Sequence, residues 1–303
     1  MYGVIDIGSN TIRLAVYKLE NGSPRPLFSK KFTAGLASYI NKSGALSKKG
    51  IEKAVTTLKQ FTPILENVNL NAVYVFATAS LRNIRNSEYA LKTISRRSGF
   101  DIQLISGEQE GILGFSGANL QSSLDSGLMT DIGGGSTELV FFENKMVKKS
   151  ISLPFGSLSI YKKYVDGILP DEKEIKHILK AVREYTQNTP CLCGQKDICA
   201  IGGSARTILS ISNRLLRLDN DNTVISYDNL KYLLSMYKEN PQKFAKEILK
   251  TAPERIHTLI PGLTVLYGIC RRCKQPDIHV SPYGIREGYL RMKMQEEMNK
   301  YEQ

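Results

Sequence analysis

Two stretches of the chain end an apolar run on an acid and follow it with glycine and a hydroxyl residue: Asp6-Ile7-Gly8-Ser9-Asn10-Thr11 and Asp131-Ile132-Gly133-Gly134-Gly135-Ser136-Thr137. Aspartate is depleted from strands, so two of them at strand ends need a reason. Glycine has no Cβ, and backbone N–H groups in such a turn can approach an anion closely. Phosphate is the expected ligand. A carboxylate beside a phosphate is repulsive unless a cation lies between them, so Asp6, Asp131 and Glu138 point to Mg²⁺, which takes one or two carboxylates together with phosphate oxygens. The plainer alternative is a pair of hairpin turns whose acids cap local N–H groups.

A third element, Ile105-Ser106-Gly107-Glu108-Gln109-Glu110-Gly111, places acids at a helix start, where the helix dipole also favours them. Ile201-Gly202-Gly203-Ser204-Ala205-Arg206-Thr207 leads from a short strand into a helix and suits an anion at a helix N-terminus. It has neither P-loop nor GxGxxG spacing. His177, His257 and His279 sit in no metal-hydrolase or triad arrangement. Cys191, Cys193, Cys270 and Cys273 have poor zinc-site spacing, and with Cys199 they read as reduced thiols. Arg96-Arg97 and Arg271-Arg272 lack the aromatic interleaving of a nucleic-acid surface, and no specific nucleic-acid partner is expected.

The elements that must position these residues alternate between strand and helix. Val4–Ile7 and Thr11–Tyr17 read as a hairpin ended by Gly22 and Pro24. Ser47–Val68 carries a helical apolar stripe of Ile51, Ala54, Leu58, Phe61 and Leu65. Ala72–Ala77 reads as a buried strand, followed by a helix over 87–97, a strand over 101–105 and a helix from Glu108. Gly127–Phe142 repeats the strand, turn, strand of the opening. Helices follow over 172–185, 205–215, 227–238 and 259–273, with a strand over 197–201 and a charged helix from about Ile285. The pattern is mixed α/β with an internal duplication, and two facing halves with a glycine turn apiece are expected to form a ligand-binding cleft.

With 303 residues, 42% hydrophobic and 23% charged, the chain reads as one or two globular domains. Its longest apolar runs are too short and too polar for a membrane span. The N-terminus shows no basic segment or cleavage site, so the cytoplasm is the expected location. A net charge of +12 favours polyanionic partners.

The segments VIDIGSNTIRL, ATASLR, ISGEQEG, DIGGGSTELV, LPFGSLSIY, AIGGSARTIL, Glu254-Arg255 through Pro261-Gly262, and YGIREGYL occur in an order that resembles the exopolyphosphatase/guanosine pentaphosphate phosphohydrolase family over nearly the whole chain. The resemblance implies two ribonuclease H-like domains of the actin, sugar kinase and heat-shock ATPase superfamily, spanning 1–121 and 122–286, with a C-terminal helix over 287–303 packing back on the first. It implies an active site in the cleft between them. Position by position, Glu110 matches the catalytic base. Asp131 and Glu138 match the acids that hold Mg²⁺ and organise water. Asp6, Gly8, Ser9, Asn10, Gly133, Gly134, Gly135 and Ser136 match phosphate-binding positions, as do Arg82 and, less specifically, Arg255 and Arg286.

The implied reaction is Mg²⁺-dependent removal of terminal phosphate from inorganic polyphosphate, with guanosine pentaphosphate as a further substrate and guanosine tetraphosphate as its product. A homodimer is compatible with the resemblance. Longer family members continue into an HD-type helical domain that has no counterpart here, which leads to an expectation of short-chain preference or distributive action. An ATP-using sugar kinase or actin-like ATPase, and a non-catalytic alarmone or polyphosphate sensor, stay open as alternatives.

Overall fold

The structure, a computed structural model, describes residues 1–301. In chain order the first elements are β1 (Tyr2–Ile7), β2 (Thr11–Glu20), β3 (Ser23–Thr33), α1 (Lys48–Lys59), α2 (Thr62–Asn67), β4 (Ala72–Ala77), α3 (Ala79–Arg82), α4 (Ser87–Ser98), β5 (Ile102–Leu104) and α5 (Gly107–Ala118). They are followed by β6 (Gly127–Ile132), β7 (Thr137–Glu143), β8 (Met146–Leu153), α6 (Ser157–Tyr164), α7 (Glu172–Thr186), β9 (Asp197–Ile201), α8 (Gly202–Leu216) and β10 (Val224–Ile225). The last are α9 (Tyr227–Glu239), α10 (Pro241–Thr251), α11 (Leu259–Cys270), β11 (Asp277–Val280) and α12 (Ile285–Tyr301). Two compact units result: Met1–Gly117 together with the helix from Ile285, and Ala118–Gly284.

The duplication read from the sequence is a duplication of topology. In the first unit the sheet order is β3-β2-β1-β4-β5, and in the second β8-β7-β6-β9-β11 with β10 added at the edge. Each sheet starts with an antiparallel three-strand meander and continues into parallel strands. The first two strands carry the paired motifs in matching register. Asp6 lies opposite Arg13 in one hairpin, and Asp131 lies opposite Glu138 in the other.

Two apolar layers cover the first sheet. Ile5, Ile7, Ile12 and Leu14 pack with Ile51, Leu58 and Ile94 of α1 and α4. Val4, Ala15, Tyr17 and Phe76 pack with Leu113 of α5 and with Tyr289 and Leu290 of α12. Burying a side chain of this size contributes about 1.5–3 kcal/mol, so α12 is an integral layer. In the second unit Leu128, Leu139, Ile198 and Ala200 share one core with Ile178 and Val182 of α7 and Leu263 and Leu266 of α11. Helix α7 shows why its segment is helical: Asp171 and Glu174 form a reciprocal capping box, and Ile175, Ile178 and Val182 fall on one buried face.

Three sequence expectations change. The chain does not leave the first sheet at Gly22 and Pro24 but turns there into β3, an edge strand that tolerates Pro24 and Pro26 because one side of an edge needs no ladder N–H groups. The stripe over 47–68 is two helices, because Pro63 has no N–H to continue a helix and instead starts α2. Helix α11 ends at Cys270 rather than Cys273. Among the described residues no helix is long and apolar enough to cross a membrane.

Candidate active site

In the first unit the functional side chains gather at the carboxyl ends of the parallel strands β1, β4 and β5, the usual ligand side of such sheets. The turn after β1 is closed by its own first glycine: Gly8 N–H donates to Thr11 O at 3.0 Å. Ser9 O and Asn10 O are occupied by the amides of Ala37, Ala34 and Gly35. The Ser80 hydroxyl donates to Ile7 O at 3.0 Å, which ties the Ala79–Arg82 turn to this loop. Arg82 Nη1 then reaches Glu110 Oε2 at 2.8 Å and Ile105 O at 3.0 Å. The matched phosphate-binding arginine and the matched base are therefore direct partners, each largely withdrawn from solvent, with 17% and 11% of their side chains exposed. Glu108, two residues before Glu110, is exposed.

Asp6 belongs to a second cluster in the same unit. Burial pushes its carboxyl above the ordinary value, Arg286 and Arg13 pull it back, and Glu287 pushes it up again. Glu287 is itself buried and accepts a 2.6 Å hydrogen bond from the Tyr17 hydroxyl. Burial and this carboxylate together raise the Tyr17 phenol far above its usual range. Arg13, Tyr17 and Glu287 are residues that sequence reasoning passed over. The alternation of β2 was the available signal for Arg13, since it sits on the opposite face from Ile12 and Leu14.

In the second unit the Gly133 N–H closes its turn on Ser136 O at 3.0 Å, as Gly8 does in the first. The carbonyls of the turn are also engaged: Gly133 O accepts from Ser157 N, and Gly134 O from Leu158 N and Ser159 N. The N-terminus of α6 thus clasps the glycine turn from behind. Gly156 permits it, because a Cβ there would run into Gly133 O and the Gly134 backbone. Among the described residues the amides of Gly134 and Gly135, and of Ser9 and Asn10 in the first unit, make no internal hydrogen bond. Ser9 and Ser136 are buried.

Beside this turn, Gly202 takes φ +85, and a Cβ on it would overlap the Asp131 carboxylate. The start of α8 therefore lies against Asp131. Arg255 lies over Gly203 equally closely, with Nη1 3.4 Å from Ser204 Oγ, and Ser204 Oγ donates to Ile132 O at 3.0 Å. A guanidinium and the positive end of a fifteen-residue helix thus meet at one place, which favours an anion. Glu138 is 1% exposed and its Oε1 accepts from Ser152 Oγ at 2.9 Å.

Paired residues across an antiparallel ladder project to one face with Cβ atoms about 4.5–5.5 Å apart, so Asp131 and Glu138 present two carboxylates together. An all-oxygen pair of this kind fits Mg²⁺, a hard cation that takes one or two carboxylates. Among the described residues no group of three or more His, Cys, Asp or Glu is placed to hold a metal ion. The cysteines are free thiols, and burial pushes Cys199 and Cys273 up to about 12, where they are not nucleophiles at neutral pH.

Comparison with known proteins adds to this geometry. Residues 15–297 match the model of the Ppx/GppA phosphatase family. The exopolyphosphatase 1 of Mycobacterium tuberculosis is 24% identical over 304 residues, covering 97% of this chain and 88% of that protein. Among solved structures, the Aquifex aeolicus member of the Ppx/GppA family superposes with a TM-score of 0.80 at 23% identity, covering 98% of both chains. An exopolyphosphatase from Cytophaga hutchinsonii superposes with a TM-score of 0.84 at 21% identity over 95% of this chain and 96% of its own. These likenesses fix the fold as the two-domain, actin-like α/β architecture.

Proposed function

Because the chain belongs to the Ppx/GppA phosphatase family, we propose that it is a cytoplasmic exopolyphosphatase that hydrolyses the terminal phosphoanhydride bond of inorganic polyphosphate and, by the same chemistry, converts guanosine pentaphosphate to the tetraphosphate. The carrying observation is the repeated turn: in each unit the first glycine closes the hairpin and the next two amides are left for an anion. Each turn, taken by itself, offers a phosphate group two backbone donors.

Phosphoryl transfer is mainly positioning and charge neutralisation. The amides of Ser9, Asn10, Gly134 and Gly135 orient phosphate oxygens. Arg255 and the α8 N-terminus neutralise charge in the second unit, and Arg286 and Arg13 do so in the first. Glu110, held by Arg82, accepts a proton from water as the water oxygen bonds to the terminal phosphorus and the bridging P–O bond breaks toward the shortened chain. Asp131 and Glu138 are the residues that would hold Mg²⁺, which when bound supplies positive charge to the phosphate oxygens.

Membership of a phosphatase family favours water over a sugar hydroxyl as nucleophile and favours turnover over passive sensing. Phosphate release from polyphosphate and from guanosine pentaphosphate, measured beside ATP with and without sugars, tests the reading. Conversion of ATP to ADP and a sugar phosphate with no orthophosphate released, or recovery of intact polyphosphate after incubation with Mg²⁺, would overturn it.

A further inference from the structure

Helix α8 begins against Asp131 and Arg255, and a polar stripe runs from its first turn to its far end. Arg206, Ser210, Asn213, Arg214 and Arg217 follow helical spacing and line an open groove of about 680 Å³ that continues over Asp221 and Asn222. Three arginines face one aspartate in this lining, and no aromatic side chain is part of it. The floor is held rigid: Asn222 Nδ2 donates to Asn213 Oδ1 at 2.8 Å, and Asn213 Nδ2 returns a bond to Asn222 O at 2.9 Å. Arg206 is held through Nη1 by Pro282 O at 3.2 Å and Ser281 O at 3.4 Å. Arg214 is held by Glu247, with 2.8 Å contacts from Nη2 to its backbone oxygen and its Oε2.

Arg217 is the informative residue. It caps α8 in the left-handed region, φ 55 and ψ 40, where glycine is the usual occupant. The chain therefore keeps an exposed arginine at a position where its backbone conformation is disfavoured.

We propose that this groove is a second polyanion site, which holds the distal part of an inorganic polyphosphate chain whose terminal phosphate lies at the Asp131 end of α8. The helix spans about 21 Å between these ends at 1.5 Å per residue. Arginine and amide donors suit a chain of bare phosphates, and the absence of any ring in the lining leaves nothing for nucleic-acid bases to stack on. The proposal rests on the reading of the chain as a polyphosphate-handling enzyme and adds a length dependence: chains that reach the groove bind more tightly than those that do not.

The test uses the full chain with Arg217→Gly, which relieves the left-handed strain, and with Arg217→Glu, which reverses the charge. The expected result for Arg217→Gly is a KM for long-chain polyphosphate raised roughly three- to tenfold, as for loss of one charge-assisted contact. Tripolyphosphate kinetics stay unchanged, and melting temperature is unchanged or higher. The slope of log affinity against log salt falls by roughly one. Arg217→Glu gives a larger effect in the same direction. Unchanged long-chain KM and salt slope in folded variants would overturn the site. So would an RNA oligonucleotide competing for the groove as well as polyphosphate does. If the wild-type protein releases no phosphate, calorimetric titration with long-chain polyphosphate still decides the question: weaker binding by Arg217→Gly supports the groove, and equal binding rejects it, whatever becomes of the hydrolytic reading.

Discussion

Arg82 Nη1 lies 2.8 Å from Glu110 Oε2, so the arginine and the acid at the ends of adjacent strands hold each other. Glu110→Gln keeps the side-chain shape and an acceptor oxygen for Arg82 but removes the proton acceptor. Turnover is expected to fall about 10²–10⁴-fold, the usual contribution of general-base catalysis, with substrate affinity retained. Glu108→Gln, on the exposed neighbour, is the control. Near wild-type activity in Glu110→Gln would remove this residue from the reaction.

The corresponding pair in the second unit is two acids. Asp131 faces Glu138 where Asp6 faces Arg13, so the second hairpin sets two acids where the first sets an acid and an arginine. EDTA is expected to abolish activity and Mg²⁺ to restore it. Glu138→Gln should weaken Mn²⁺ binding measured by electron paramagnetic resonance. Full activity in buffer shown metal-free by elemental analysis would assign charge neutralisation to the arginines alone.

Asp6 provides a test through stability. A carboxyl raised above its ordinary 3.8 binds its proton more tightly in the native state than in the unfolded one. Its contribution favours folding at pH below 3.8 and is lost as pH rises through the native value. At pH 7 the ionised group is therefore a net cost. Asp6→Asn should be more stable than the parent at pH 7 in denaturant titrations, by a margin that shrinks as pH is lowered toward 3.8, while being less active. Equal stability at pH 7 would mean that Arg13 and Arg286 offset the burial completely.

Chain-length behaviour is expected to be graded. Gel analysis of long polyphosphate in excess should show the whole population shifting gradually downward, with intermediates released. Full-length chains beside end products, without intermediates, would contradict distributive action. The α8 groove then sets how quickly the shift slows once chains become too short to reach it.

Gly288 on α12 lies directly on the α5 backbone, where a Cβ would collide with Leu113 O. Gly288→Val should destabilise the protein by about 1–3 kcal/mol in urea denaturation, the cost of overpacking, and should reduce activity by shifting the helix that carries Glu110. An unchanged urea midpoint would show that the two helices separate freely.

What the sequence made legible was local. The Asp–Gly turns, the helix over 172–185 and the strand at Ala72–Ala77 depend on neighbours within a few residues. Strand β3 was missed because Gly22 and Pro24 read as the end of the hairpin, and only the sheet order shows that the strand is an edge. Strand β8 was hidden by Lys148 and Lys149 on an exposed strand face. The clasp of α6 on the glycine turn, the seat of Arg255 on Gly203 and the Arg82–Glu110 pair join segments tens of residues apart, and no periodicity encodes such meetings.

The return of α12 to the first sheet also sets the order in which the protein is made. Residues 118–284 form one continuous unit, but the layer of Tyr289 and Leu290 that covers Val4, Ala15 and Phe76 is translated after all of it. At ribosomal rates of about 5–20 residues per second, that face of the first sheet waits on the order of ten to forty seconds for its cover. During this interval α5 alone, through Leu113, covers that apolar sheet face, which leaves part of it open to ribosome-associated chaperones until Tyr289 and Leu290 arrive.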